Sequence, residues 1–233
     1  MAFTNSKIKT LSVDKNNKYF SSKGCVMFNK NKTELLFCTA AINGKYRVPD
    51  SVVKIHEEAF RSYIDLTEVT IPKKTKRIEK NAFLVCESLT KVNLSDGLEY
   101  IGYSCFAYCP ISEITVPSST KIIDEMAFMG CNNLKKVKLS EGLEEIGPEV
   151  FALTSIKEIT IPSSVKTVCV GAFFSCKDLR KVTIMSSSTK FEPSVFDLCC
   201  NIREVYIPQD AHISDYTYFS GLPEDNSIFI RMK

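Results

Sequence analysis

One pattern of apolar and polar positions, six residues long, recurs along most of the chain. In Leu66-Thr-Glu-Val-Thr-Ile71 the first, fourth and sixth residues are apolar and the others are polar. The last two apolar positions are mostly β-branched, which is typical of a strand with one buried face. The pattern therefore predicts a series of short strands, which begin at Leu66, Leu89, Ile111, Leu134, Ile156, Leu179 and Ile202.

A phenylalanine recurs with the same period as the predicted strands. Pro162 precedes Phe173 by eleven residues, and the same spacing joins Pro117 to Phe128. A unit with one short strand cannot bury its own apolar face, so successive units must stack on each other. These ladder phenylalanines follow one another at nearly constant intervals and are Phe60, Phe83, Phe106, Phe128, Phe151, Phe173, Phe196 and Phe219.

The repeats define the expected fold class, an α/β repeat protein. The part of each unit that follows the strand is interpreted as a turn and a short helical or 3₁₀ segment, which brings the phenylalanine inward. We therefore expect a solenoid with a parallel sheet on one face and short helical or 3₁₀ segments on the other. About eight repeats of about 22–23 residues occupy residues 45–222 in this interpretation.

The ends of a solenoid are open edges that can pair with another chain, so we expect both to be covered. Residues 1–44 are predicted to form an N-terminal strand and a β-hairpin cap, with the hairpin in residues 24–40 and its turn at "NKNK". Residues 223–233 are predicted to form a C-terminal capping strand. Ile230 follows Ile207 by one repeat length, which places "SIFIR" in the strand register.

The composition excludes several classes of partner. A formal net charge of +3 lacks the basic excess of a nucleic-acid-binding protein, so we expect no nucleic-acid partner. No apolar run approaches the ~20 residues of a membrane span. The first residues contain no signal-peptide core, which favours a cytoplasmic location with reduced thiols. In that case the glycosylation motifs at Asn31 and Asn93 are not used.

Half of the ten cysteines occupy one position of the repeat, three residues after the ladder phenylalanine. Tyr63, Thr154 and Leu222 replace cysteine in other repeats, which indicates a core position that takes a small apolar side chain. With only two histidines and no zinc-type spacing, we expect no metal, no cofactor and no catalytic site. The ladder cysteines are Cys86, Cys109, Cys131, Cys176 and Cys199.

The repeat reads "LxxVxIPxSVxxIxxxAFxxC" and resembles the BspA-like leucine-rich repeats over residues 45 to about 222. Members of that family occur as surface antigens in bacteria and in parasitic protists. The resemblance implies a leucine-rich-repeat solenoid and a cell-surface or secreted location, unlike the cytoplasmic location above. It also implies that the protein binds other macromolecules.

The third position of each predicted strand alternates in charge along the chain. Neighbouring strands lie ~4.8 Å apart, so opposite charges side by side favour the correct register. Two interpretations stay open, a stabilising ladder and a charged docking surface. The charge stripe consists of Glu68, Lys91, Glu113, Lys136, Glu158 and Lys181.

The C-terminal end of the solenoid carries a second candidate surface. The fifth strand position holds small polar residues in most repeats, but at the C-terminal end it holds Tyr206 and then Phe229. Arg180, Arg203 and Glu204 flank them, and tyrosine and arginine are enriched among residues that dominate binding energies. These aromatic residues either anchor a partner or pack on each other to shield the last edge.

Two functional hypotheses follow from the sequence. The first is a non-catalytic interaction or adhesion module that binds a protein or glycoconjugate through the sheet face. The second is a structural element that joins end to end through its edge strands, as a homodimer or a longer rod.

Overall fold

Two rows of parallel strands run along a solenoid of about seven turns, and each turn gives one strand to each row. The structure, a computed structural model, describes residues 8, 10–39, 42–211 and 229–232. The long-strand row lies where the recurring pattern predicts strands. In chain order it contains β4 (Gly44–Arg47), β6 (Leu66–Thr70), β8 (Lys91–Asn93), β10 (Glu113–Thr115), β12 (Lys136–Lys138), β14 (Glu158–Ile161), β16 (Lys181–Ile184), β18 (Glu204–Ile207) and β19 (Phe229–Arg231).

The second row consists of strands of two residues each, and the sequence interpretation missed it. The second residue of each strand is buried in the core, as Ile78 and Ile101 are. The strands pair in parallel, in register, from turn to turn. This short-strand row contains β5 (Lys54–Ile55), β7 (Arg77–Ile78), β9 (Tyr100–Ile101), β11 (Ile122–Ile123), β13 (Glu145–Ile146), β15 (Thr167–Val168) and β17 (Lys190–Phe191).

An antiparallel hairpin unit covers the N-terminal edge of the short-strand row. It contains β1 (Phe20–Lys23), β2 (Val26–Asn29) and β3 (Glu34–Cys38), and β3 continues in parallel with β5. The hairpin that we predicted is thus present in the described residues, with its turn between β2 and β3. Its inner side chains Phe28 and Leu35 are fully buried, so the hairpin extends the core of the solenoid.

The predicted helical or 3₁₀ face is wrong. The described residues contain no helix, and the segments around the ladder phenylalanines form a column of turns. Each turn places two residues in the left-handed region, two positions before and two positions after the phenylalanine, as Asn81 and Val85 show with φ of 57° and 56°. A right-handed helix cannot contain such residues. Every second N–H group donates instead to the next turn, as from Val85 to the Ala107 carbonyl at 2.9 Å, and the N–H groups between them donate within their own turn.

The ladder phenylalanines form one continuous stack inside the solenoid, which confirms the prediction that they point inward. From Phe60 to Phe196 their side chains are at most 1% exposed. Successive ring centroids lie 4.8 to 5.5 Å apart, and the ring planes are within 16° of parallel. Each turn therefore buries its phenylalanine only when the neighbouring turns are in place.

The ladder cysteines are buried, as predicted, and their thiols also donate hydrogen bonds. Each thiol donates to the carbonyl of the ladder phenylalanine one turn earlier. Cys86 donates to Phe60 and Cys131 to Phe106, at 3.0 and 3.2 Å. A small side chain with a weak donor therefore suits this position better than a purely apolar one.

The long-strand row is interrupted twice, whereas the short-strand row is continuous. Within residues 42–211 no strand pairing joins β8 to β10 or β12 to β14. A short turn precedes β10 and β14: one residue separates Cys109 from Ile111 and Thr154 from Ile156, where the other repeats have two. We infer that the shorter turns hold these two strands away from the preceding ones.

The C-terminal strand is present, but its register differs from the predicted one. We predicted that Phe229 lies beside Tyr206, whereas β19 pairs Phe229 with Val205 and Ile230 with Tyr206. The last unit, from Val205 to Phe229, is one residue longer than the preceding one, from Val182 to Val205. Because side chains alternate along a strand, this extra residue gives Phe229 the register position of Val205.

The rest of that terminal unit, from residue 212 to residue 228, lies outside the described residues. Two positions of the predicted repeat, Phe219 and Leu222, fall there. The boundaries at residues 1–44, 45–222 and 223–233 stay predictions.

Replacing a central ladder phenylalanine tests the dependence of the fold on the stack. The Phe128→Ala variant should lower the free energy of unfolding by about 3–5 kcal/mol, because it opens a cavity between two stacked rings. Leu153, which is 40% exposed in the turn column, is the matched control. Leu153→Ala should change the stability by about 0.5 kcal/mol or less in the same urea titration. Equal losses in the two variants would contradict the stacking argument.

A pair of glycines tests how closely neighbouring turns approach. Gly142 has φ +105°, and a Cβ there would lie 2.2 Å from the Ser118 carbonyl oxygen of the preceding turn. Gly24 has φ +62° and nothing within 4 Å. Gly142→Ala should therefore lower the free energy of unfolding by about 3 kcal/mol or more. Gly24→Ala should cost only about 1–2 kcal/mol, from backbone strain alone. Similar denaturation midpoints for the two variants would show that the contact is not tight.

Candidate functional site

A groove of about 440 Å³ lies in the middle of the long-strand row. Its walls are formed by β8, β10 and β12, and Glu158 of β14 closes one side. The volume lies within the range of ~300–1,000 Å³ that is typical of ligand sites. The groove spans both interruptions of the row, and each interruption follows one of the two short turns.

The interruptions expose core residues that are covered elsewhere in the row. Val137 of β12 and Leu94, which follows β8, are partly exposed, and Val92 and Leu139 are 6% and 9% exposed. All four lie in, or directly after, the strands that precede an interruption. In an unbroken part of the row the equivalent residues, such as Val182, are fully buried. The floor of the groove is therefore apolar, and its rim is charged.

Four members of the predicted charge stripe line this groove. They are Lys91, Glu113, Lys136 and Glu158, and Lys138 joins them from β12. Among the described residues, no ion pair shorter than 4.0 Å involves any of these except Lys91. The sequence predicted attraction between neighbouring strands, but at these positions the charges remain open to solvent. All of them except Lys91 are therefore available to a partner without first breaking an internal ion pair.

The stripe does form ion pairs at its N-terminal end, around Glu68. Lys45 lies 3.0 Å and Lys91 3.6 Å from the Glu68 carboxylate, and Asn93 donates a hydrogen bond to it at 2.8 Å. The hydrogen bond from Lys45, with the one from Asn93, holds the pKa of Glu68 below its ordinary value. This cluster links β4, β6 and β8, so the stabilising interpretation of the stripe fits this first block of strands.

The C-terminal candidate residues lie apart from the groove. The Lys181 ammonium lies 4.4 Å from the centre of the Tyr206 ring, and the Tyr206 hydroxyl contacts a Glu204 carboxylate oxygen at 3.2 Å. Arg180 and Arg203 are exposed on the neighbouring strand ends. The structure thus brings Lys181, Glu204 and Tyr206 together, whereas Phe229 takes a different register position, as described above.

Sequence reasoning missed the central feature of the groove, the neighbouring Lys138 and Val137. The position of Lys138 is occupied by Thr or Asn in the other strands from β6 to β16, so its charge is an exception in that row. The alternation of shorter and longer repeats was also visible in the sequence. It located the short turns, but the loss of strand pairing at those turns requires the structure.

Other types of site find no support in the described part of the chain. No group of three or more His, Cys, Asp and Glu side chains there is arranged to hold a metal ion. No helix in the described residues is long and apolar enough to cross a membrane.

The chain belongs to the BspA type leucine-rich repeat family. The family model matches residues 36–110 and 99–224, with six copies of the repeat. This match covers most of the chain and confirms the resemblance carried by the repeat motif. No curated protein sequence matches the chain significantly.

Two solved structures share the fold. A leucine-rich repeat protein from T. pallidum has 21% identity and a TM-score of 0.54, over 84% of this chain and 81% of that one. The pneumococcal vaccine antigen PcpA has 14% identity and a TM-score of 0.50, over 87% of this chain and 72% of that one. At these identities the likeness establishes the fold alone.

The Glu68 cluster makes the stability depend on pH. Because the folded-state pKa of Glu68 is lowered, its stabilising contribution is present above the ordinary carboxyl value and disappears as the pH falls through the lowered value. Glu68→Gln should therefore be less stable than the parent protein at pH ~7 and equal to it near pH ~2. Urea titrations across this range measure the difference.

Glu113→Gln is the matched control for this prediction. Glu113 holds the same strand position but has no ion pair among the described residues. Its substitution should leave the stability profile unchanged. A gap between Glu68→Gln and the parent protein that persists at low pH would argue against an ionic origin.

Proposed function

We propose that this protein is a non-catalytic binding module whose groove holds a segment of a partner protein. The single observation that carries this proposal is the open charge on β12. Lys136 and Lys138 stand on either side of the partly exposed Val137, and all three line the groove. An apolar centre with charged neighbours is the usual composition of a protein-binding surface.

The charges around the groove favour a particular chemistry in the partner. Carboxylates of the partner would pair with Lys136 and Lys138, and a cationic side chain would fit Glu113 or Glu158. Such complementary charges mainly raise the association rate and the selectivity, whereas burial of the apolar floor supplies affinity. A protein segment supplies both signs of charge and an apolar side chain, so we favour it over a glycan.

The family context supports an exposed location. BspA type repeats define the family, and the pneumococcal relative in fold is described as a vaccine antigen. We therefore propose that the protein acts at the cell surface or after secretion, as an adhesion or antigen-like module. The comparisons give no support to the cytoplasmic location expected from the N-terminal sequence.

Selection of random peptides displayed on phage tests this proposal. Peptides enriched on the immobilised protein should carry Asp or Glu next to an apolar residue. The variant Lys136→Glu/Lys138→Glu should weaken the binding of the enriched peptides about tenfold or more, because it replaces attraction by repulsion. Fluorescence polarisation measures the affinity, and circular dichroism verifies the fold of the variant.

The control carries the same change in net charge outside the groove. Lys73 and Lys74 are exposed in the turn after β6, and Lys73→Glu/Lys74→Glu should bind the peptides like the parent protein. Equal weakening in both variants would point to non-specific charge attraction. Enrichment of glycans on an array, with no enriched peptide, would exclude the protein partner in favour of a glycoconjugate.

A further inference from the structure

Two thiols of the N-terminal hairpin unit touch each other. Cys25 lies in the tight turn between β1 and β2, and Cys38 is the last residue of β3. Their sulfur atoms are 3.5 Å apart, and the two residues are 9% and 7% exposed. Neither cysteine occupies the ladder position. The packing and hydrogen bonding that explain the ladder cysteines therefore do not explain this pair.

Local backbone geometry brings the two sulfurs together. The Thr39 N–H donates to the Cys25 carbonyl at 2.8 Å, and Val26 is paired with Cys38. Side chains of a regular antiparallel pair would place residues 25 and 38 on opposite faces. Cys25 lies in the turn rather than in β2, so its side chain does not follow this alternation.

The first repeat connects directly to this pair. Tyr63 occupies the ladder position of that repeat, and its hydroxyl donates to the Cys38 sulfur at 3.0 Å. Cys38 also donates to the Thr39 carbonyl at 3.2 Å. The thiol pair therefore lies at the contact between the hairpin unit and the first turn of the solenoid.

We propose that Cys25 and Cys38 are a disulfide-forming pair that closes the N-terminal hairpin covalently when the protein meets a small-molecule disulfide. The inference does not rest on the proposed function of the groove. A disulfide needs the sulfurs at about 2.0 Å, so the atoms must approach by about 1.5 Å. The turn position of Cys25 permits this movement, because only that turn has to adjust.

The reaction has two exchange steps. The Cys25 thiolate attacks one sulfur of the small disulfide, which forms a mixed disulfide and releases one thiol. The Cys38 sulfur, after losing its proton to solvent, attacks the Cys25 sulfur and releases the second thiol. Two protein thiols are thus oxidised, and one small disulfide is reduced to two thiols.

Cys25 should react first. Burial raises the pKa of the Cys38 thiol, so its thiolate is scarce at neutral pH. The second step should therefore be the slower one and should accelerate as the pH rises. The product ties the turn after β1 to the end of β3, next to Tyr63.

A thiol count with oxidised glutathione tests the proposal. The exposed Cys200 would form a mixed disulfide of its own, so the parent for the test is the Cys200→Ser variant. After incubation at pH ~8, this protein should lose two of its remaining thiols without gaining bound glutathione. Peptide mapping should identify the Cys25–Cys38 bond. The melting temperature should rise by about 5 °C or more and return after reduction.

The control variant Cys25→Ser/Cys200→Ser should lose no thiols and show no rise in melting temperature. The peptide map of the Cys200→Ser protein decides the matter even when the control variant fails to fold. A full set of free thiols, a bond mapped to two ladder cysteines, or a persistent mixed disulfide at Cys25 would each overturn the proposal.

Discussion

The stacking of each turn on the next is the constraint on which the rest of this structure depends. The ladder phenylalanines, the ladder thiols and every second N–H group of the turn column find their partners one turn away. A single turn therefore has almost nothing to stabilise it alone, and stability arises from interfaces between neighbours. This explains why every turn from Phe60 to Phe196 keeps its buried phenylalanine, whereas the exposed strand positions are free to vary.

The sequence predicted the features that follow from period and burial. The strands of the long-strand row, the buried phenylalanines and the buried cysteine position all repeat in register, and repetition makes such signals strong. The turn column could not be predicted in the same way, because residues such as Val85 and Glu149 adopt left-handed conformations that their own type disfavours. Contacts between turns impose those conformations, and no local pattern reveals them.

The candidate site, too, could be predicted from the sequence only in part. The alternating charges were visible in the sequence, but their pairing was not. Glu68 finds Lys45 and Lys91, whereas Glu113 and Lys136 face an open groove without an ion pair in the described residues. Strand pairing alone does not decide this difference, because β10 and β12 are paired with Glu113 beside Lys136 and these two side chains still form no ion pair. The side chains of β10 and β12 instead line the groove at the two interruptions of the row.

The two interruptions also give the solenoid a mechanical asymmetry. The sheet formed by the hairpin unit and the short-strand row runs unbroken from β1 to β17, while the long-strand row is divided into three blocks. Bending that widens the gaps between blocks breaks no strand pairing, but stretching the opposite side would break a continuous ladder. The protein is therefore expected to bend more easily in the direction that opens these gaps than in the opposite direction. A ligand bound across the gaps would oppose this bending. Binding at the centre of the solenoid would therefore restrict the motion of its two ends relative to each other.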